Sequence, residues 1–181
     1  DEDNYDYILD VEKISHMEGS QLHHKRKMIN RFIKQYSHSI DTHPLTAEDE
    51  EKITYLFTTW EKLRNKSRSE TENELNATKR LFIDYKDLNL IVQCITSENE
   101  LVGYTIFEII DEEYAVSDFQ KADPRFEGAY ELLNHLMAKY LRGVGCKHIN
   151  IEQDLGIPGL RRAKLDYDPT FLKKYIITRK I

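Results

Sequence analysis

LIVQCITSENELVGYTIFEIIDEEYAVSDF, residues 90–119, decides the fold. It holds three β-branched or aromatic runs, Leu90–Thr96, Leu101–Ile110 and Tyr114–Phe119, separated by the polar turns SENE and DEE. Such short breaks join antiparallel neighbours, so the stretch predicts a meander. The texture then changes. From Phe126 to Leu141, Phe126, Tyr130, Leu133, Met137 and Tyr140 recur on one helical stripe, with Ala129, Leu136 and Leu141 beside it. Gly143 and Gly145 then stop the helix. HINIE, His148–Glu152, reads as a short strand. Strand, long helix and strand in succession form a right-handed parallel crossover, so the meander becomes a mixed sheet near its centre. Parallel neighbours that splay there leave a cleft of the kind ligands favour.

Working outward, Leu22, Ile29, Phe32, Ile33 and Tyr36 fall within one helical arc of Ser20–Tyr36, with Lys27, Arg31 and Lys34 opposite. A turn is expected at Thr42–Leu45. Thr46 and Asp49 then open a second helix carrying Ile53, Leu56, Phe57, Trp60 and Leu63. Arg64–Glu74 has no hydrophobic residue and reads as a mobile loop or as the solvated start of a third helix with Leu75, Thr78, Leu81, Phe82 and Tyr85. Toward the other end, Pro158–Tyr167 suits a short helix and Phe171–Ile177 a last strand. The expected class is α+β, in one domain over 1–181: a helical part at about 15–86 and a mixed sheet with helices at about 88–181.

Composition narrows the function. A chain of 181 residues, 40% hydrophobic and 32% charged with 7 Gly and 4 Pro, is neither disordered nor low-complexity. No apolar run nears the ~20 residues that span a bilayer, and DEDNYDYILD is no signal peptide, so a cytoplasmic protein is expected. Cys94 and Cys146 are too few for a disulfide framework and lack zinc spacing, which predicts buried thiols and no metal. Net charge is −6, yet Gly19–Ile40 holds Lys25, Arg26, Lys27, Arg31 and Lys34 without an acid, so +5 there leaves −11 elsewhere. Those five cations are candidates to bind tRNA phosphates or an anionic membrane, or to dock on the acidic remainder. The Gly-x-Ser-x-Gly, phosphate-loop and His-Glu-x-x-His motifs are absent.

The element order resembles the GNAT acyltransferase fold. DYILDVEKISHMEGSQLHHKRKMINRF, DFQKADPRFEGAYELLNHL and HINIEQDLGIPGLRRAKLDYDP resemble the phosphatidylglycerol lysyltransferase C-terminal-like family, largely uncharacterised bacterial proteins whose namesakes move an aminoacyl group from charged tRNA to a lipid. The chain departs from the family pattern at Lys27, Gln120, Ile151 and Asp166, where Asn, Glu, Arg and Ser are usual. The resemblance implies a GNAT-like mixed sheet and a second GNAT-like half ahead of this one. It also implies acyl-CoA or aminoacyl-tRNA as donor substrate, with no permanently bound cofactor.

The candidate site follows from that chemistry. Donors of the acyl-CoA type rest their phosphates on a helix start with Arg/Gln-x-x-Gly-x-Gly/Ala; RFEGAY supplies Arg125 and Gly128 but puts Tyr130 at the last small position. Acyl transfer also needs a base and hydrogen-bond donors. Glu152 and Asp154 are candidate bases, Asn150 beside Glu152 a seat for an ammonium group, and Lys121 a donor to a carbonyl or phosphate. Tyr130 and Asn134, one turn apart, line the cleft or simply pack. Arg161 and Lys164 bind substrate, or else pair with Glu152 and Asp154 and cap the short helix. The expected activity is transfer of an acyl or aminoacyl group to an amine or hydroxyl. The alternative is a non-catalytic assembly module that binds tRNA, membrane or its own N-terminal half.

Overall fold

A computed structural model describes residues 2–174. The meander forms as the sequence predicts: β3 (Leu90–Ser97), β4 (Glu100–Ile109) and β5 (Tyr114–Ala122) pair antiparallel in order. Helix α5 (Ala129–Gly143) then carries the chain to β6 (His148–Asn150), which pairs parallel with β5. Two further strands come from the N-terminal region, where only helices were expected. β1 (Asp6–Asp10) inserts between β6 and β7 (Thr170–Leu172), and β2 (Ser39–Pro44) pairs with β3 at the far edge. The sheet order is β2-β3-β4-β5-β6-β1-β7, with β5–β6 the one parallel pair among the described residues.

Both missed strands have a physical excuse. β1 is five residues long and buried over four of them, so it has no alternation to read. β2, SIDTHP, is a mostly exposed polar edge strand that ends at Pro44, which reads as a turn. The expected last strand, Phe171–Ile177, is seen as β7; residues 175–177 lie outside the described residues.

Helices cover the sheet on two sides. On one side α3 (Asp49–Leu63) and α4 (Arg68–Asp84) bury Ile53, Leu56, Leu81 and Phe82 against Val92, Tyr104 and Ile106. The Ser67–Glu70 capping box settles the hydrophobe-free segment as a solvated helix start. On the other side α1 (Val11–His16), α2 (His23–Gln35) and α5 enclose Leu9, Ile14, Leu22, Phe32, Phe107, Leu133 and Met137. α6 (Pro158–Leu165) is a short helix with no buried residue. Cys94 and Cys146 are buried and unpaired, as expected of small hydrophobes. Ile33, assigned to the apolar arc of α2, is 49% exposed, whereas Lys25 faces inward and is buried.

Candidate functional site

The parallel pairing of β5 with β6 is brief. It runs from Tyr114↔His148 to Val116↔Asn150, after which β5 continues while β6 ends. The two strands therefore part beyond Val116 and Asn150, where the sequence predicts the cleft. A bulge marks the same place on β5: Phe107 faces Ser117 and Ile106 faces Phe119, so Asp118 is the extra residue without a partner. The bulge shifts the strand's parity. Ser117 before it and Gln120 after it both face α5, reaching Thr105 and Asn134 respectively.

Asp118 is the residue the sequence reading missed. Its Oδ2 is buried without a hydrogen-bond partner. Burial pushes the carboxyl up to about 7, and the charges of Glu108 and Glu152 add to the rise. Glu152 also stands there, with its own acidity weakened chiefly by burial. Its placement differs from the strand extension expected. Asn150 ends β6 and Glu152 adopts a left-handed backbone (φ 58°), with its amide donating to Asn150 Oδ1 at 2.7 Å. Asn150 also donates to Asp6 Oδ2 at 3.0 Å, so both ends of its amide hold backbone or neighbour.

Asp154 is a strut. Fully buried, it accepts from Tyr7 Oη, from Arg161 Nε at 2.6 Å and Nη2 at 3.0 Å, and from the Gly156 amide at 2.8 Å. The Arg161 guanidinium, with the Tyr7 and Gly156 bonds, holds its carboxyl well below the usual carboxylate range. Arg161 reaches on to Asp3, tying the loop before α6 to the N-terminal residues. Lys164 donates to the carbonyls of Ile151 and of Gln153, and burial pulls its ammonium down to about 8.

The remaining candidates divide between the two faces of the sheet. On the α5 face, Gln120 Nε2 donates to Asn134 Oδ1 at 3.3 Å, and Asn134 Nδ2 donates to the Tyr130 carbonyl and to Tyr167 Oη, each at 3.1 Å. Lys121 points the other way. It pairs with Glu74 and lies over the rings of Trp60 and Phe57, 4.4 and 5.4 Å from their centroids; the Tyr130 phenol reaches the same Trp60, so Lys121 stands near Tyr130 but apart from the Gln120–Asn134–Tyr167 hydrogen bonds. Arg125 folds back on Asp123 through Nε and Nη2. Gly128, at φ 94°, lies so close to α2 that a Cβ there would meet the Met28 carbonyl oxygen at 2.5 Å.

The basic helix is partly turned inward. Lys25 pairs with Glu131 at 3.3 Å and lies over the Tyr167 ring, Arg26 donates to the carbonyls of Met17 and Gly19, and Arg31 pairs with Glu127 at 2.5 Å. Lys27 and Lys34 remain exposed. Among the described residues no group of three His, Cys, Asp or Glu side chains is arranged to hold a metal ion, and no helix is long and apolar enough to cross a membrane.

The family model described as phosphatidylglycerol lysyltransferase, C-terminal, matches residues 1–178. No curated protein matches at a significant level. Among solved structures, a conserved protein of unknown function from Bacteroides thetaiotaomicron is 30% identical, with a TM-score of 0.85, over 93% of this chain and 57% of its own. L-PGS from Bacillus licheniformis is 16% identical, with a TM-score of 0.65, over the same shares. A tandem GNAT protein from the clavulanic acid biosynthesis pathway is 13% identical, with a TM-score of 0.55, over 92% of this chain and 50% of its own. The fold is thus GNAT-like, and the chain spans 57% of the length of the first two relatives.

Proposed function

The chain belongs to the phosphatidylglycerol lysyltransferase C-terminal family, and from that premise we propose that it transfers an aminoacyl group from an ester donor such as charged tRNA to a hydroxyl or amine acceptor. The observation that carries the reading is Asp118: a carboxyl at the bulge with one buried oxygen that no group donates to, raised to about 7, where β5 leaves β6. A base with a pKa near ambient pH combines a useful ionised fraction with real proton affinity. The acceptor's oxygen or nitrogen attacks the donor carbonyl as Asp118 takes its proton. The bond from the acyl carbon to the donor oxygen then breaks, and Asp118 returns the proton to that leaving oxygen. Glu152, across the cleft, receives the α-ammonium of the aminoacyl group.

Asp154 and Arg161 hold the wall of the cleft and take no proton. Lys164 fixes the strand end through the Ile151 and Gln153 carbonyls. Lys27 and Lys34, free on the outer face of α2, are the cations left to meet a polyanion. A cytoplasmic setting, where charged tRNA is found, goes with this donor.

The test is loss of the aminoacyl ester from charged tRNA in the presence of phosphatidylglycerol vesicles, for this chain and for the full-length protein. Turnover that falls sharply in Asp118→Asn supports the reading. Equal turnover in the variant, or none in either protein despite tRNA binding, turns the assignment to the assembly module.

A further inference from the structure

The GNAT fold has one helix start on which acyl-CoA phosphates can rest, here the turn leading into α5. We infer that α2 has taken that place, so that the Arg125–Gly128 turn is a joint between helices and the domain uses no acyl-CoA.

A glycine at such a turn leaves room for something to approach its Cα, and here the space already has an occupant. A Cβ at Gly128 would meet the Met28 carbonyl oxygen at 2.5 Å, its carbon at 3.0 Å and the Phe32 Cβ at 3.2 Å, all of α2. A carbonyl oxygen at that spot excludes a phosphate by volume and repels it by charge. Next come the groups that would neutralise a diphosphate. Arg125 donates its backbone amide and its guanidinium to Asp123. Arg31 is paired with Glu127, and the buried Lys25 with Glu131. Two carboxylates, Glu127 just before α5 and Glu131 in its first turn, thus already match the nearby cations of α2. Finally, Tyr36 closes the far end: its hydroxyl donates to the Arg125 carbonyl at 3.3 Å and its ring packs 4.9 Å from that of Phe126. The residues present do not fit the group.

This assignment separates two explanations for a weak phosphate motif. Sequence alone blames the phenol of Tyr130 at the third small position; the structure blames α2. The inference deepens the proposed transfer reaction by restricting its donor, yet its test involves no turnover. Its failure would leave Asp118 untouched, and a silent Asp118→Asn would leave it untouched in turn.

The experiment is calorimetric titration of the chain with CoA and acetyl-CoA, paired with thermal unfolding, for the wild type, Tyr130→Gly, Tyr130→Ala and Gly128→Ala. The expected result is no binding of either nucleotide at millimolar concentration by the wild type or by whichever Tyr130 variant folds. Gly128→Ala should lower Tm by about 5 °C or more, because the methyl group meets backbone and the left-handed φ is strained as well. CoA binding by the wild type overturns the inference. So does binding gained on removal of the Tyr130 ring, or a Gly128→Ala protein with unchanged Tm.

Discussion

Two acids of the candidate site, one on β5 and one past the end of β6, are built in opposite ways. Asp154, beyond the end of β6, has every direction of its carboxylate filled: a phenol, a forked guanidinium and a backbone amide converge on it. Asp118, at the bulge of β5, has a buried oxygen that nothing donates to. The first has its acidity strengthened by hydrogen bonds, the second weakened by burial. What the contrast teaches is that burial alone does not mark a working group. A buried carboxylate with full partners is architecture, while one left without partners stores proton affinity that chemistry can use.

The sharpest way to break the contrast is to remove each carboxylate's charge without its shape. Asp118→Asn is expected to cut aminoacyl transfer by about 10²–10⁴-fold, the usual contribution of general-base catalysis. The global fold should stay intact in urea unfolding. A variant that keeps within tenfold of wild-type turnover would remove Asp118 from the reaction. Asp154→Asn should do the reverse, costing about 3 kcal/mol of stability because Arg161 and Tyr7 lose the charge they were arranged around. Unfolding midpoints at constant m-value check it, and a loss below about 1 kcal/mol would mean that the knot is not structural.

Lys121 offers a smaller test, since the sequence marked it as catalytic and the structure puts it across the sheet. Its ammonium sits between Glu74 and the rings of Trp60 and Phe57. Lys121→Met is expected to lose about 1–2 kcal/mol, with a coupling of about 1 kcal/mol to Trp60→Leu in a double-mutant cycle. Zero coupling together with lost turnover would return Lys121 to the cleft.

The same contrast explains what was legible in the chain. Residue type and turn chemistry exposed β3, β4 and β5, long β-branched or aromatic runs bounded by SENE and DEE, and the helical period exposed α5. The same reading missed β1, only five residues long, and β2, a polar strand exposed along an edge. Glu152 and Asp154 were visible as carboxylates after a short strand, but not their opposite fates. Those depend on Tyr7 and Asp3 at the other end of the chain. Asp118 was hidden by its bulge, though a signal existed. In AVSDFQKA the small residues Ala115 and Ser117 have one parity and Ala122 the other, and all three are buried. A strand that keeps one face toward α5 can do that only by inserting a residue between Ser117 and Ala122.

The smallest effect is also the most direct reading of the comparison, because it needs no substrate. Asp118 titrates near 7 in the folded chain against an ordinary 3.8. Below about pH 4 the group is protonated in both states and contributes nothing to stability. As pH rises, the unfolded chain ionises first and the folded chain holds its proton, so stability falls until the folded group ionises near pH 7 and stays lower beyond it. In a half-buried site open to solvent screening, the loss should amount to about 1–2 kcal/mol, well below the full linkage value. Asp154 acts with the opposite sign: its contribution is complete above the usual carboxylate range, begins to be lost as pH falls into that range and is gone only well below it, where the folded carboxyl itself is protonated. The Asp118→Asn variant should therefore match the wild type near pH 4 and exceed it in stability at pH 8, as read from urea titrations across that interval. A difference that is flat with pH would mean that Asp118 finds a partner in solution, and the distinction between the two acids would collapse.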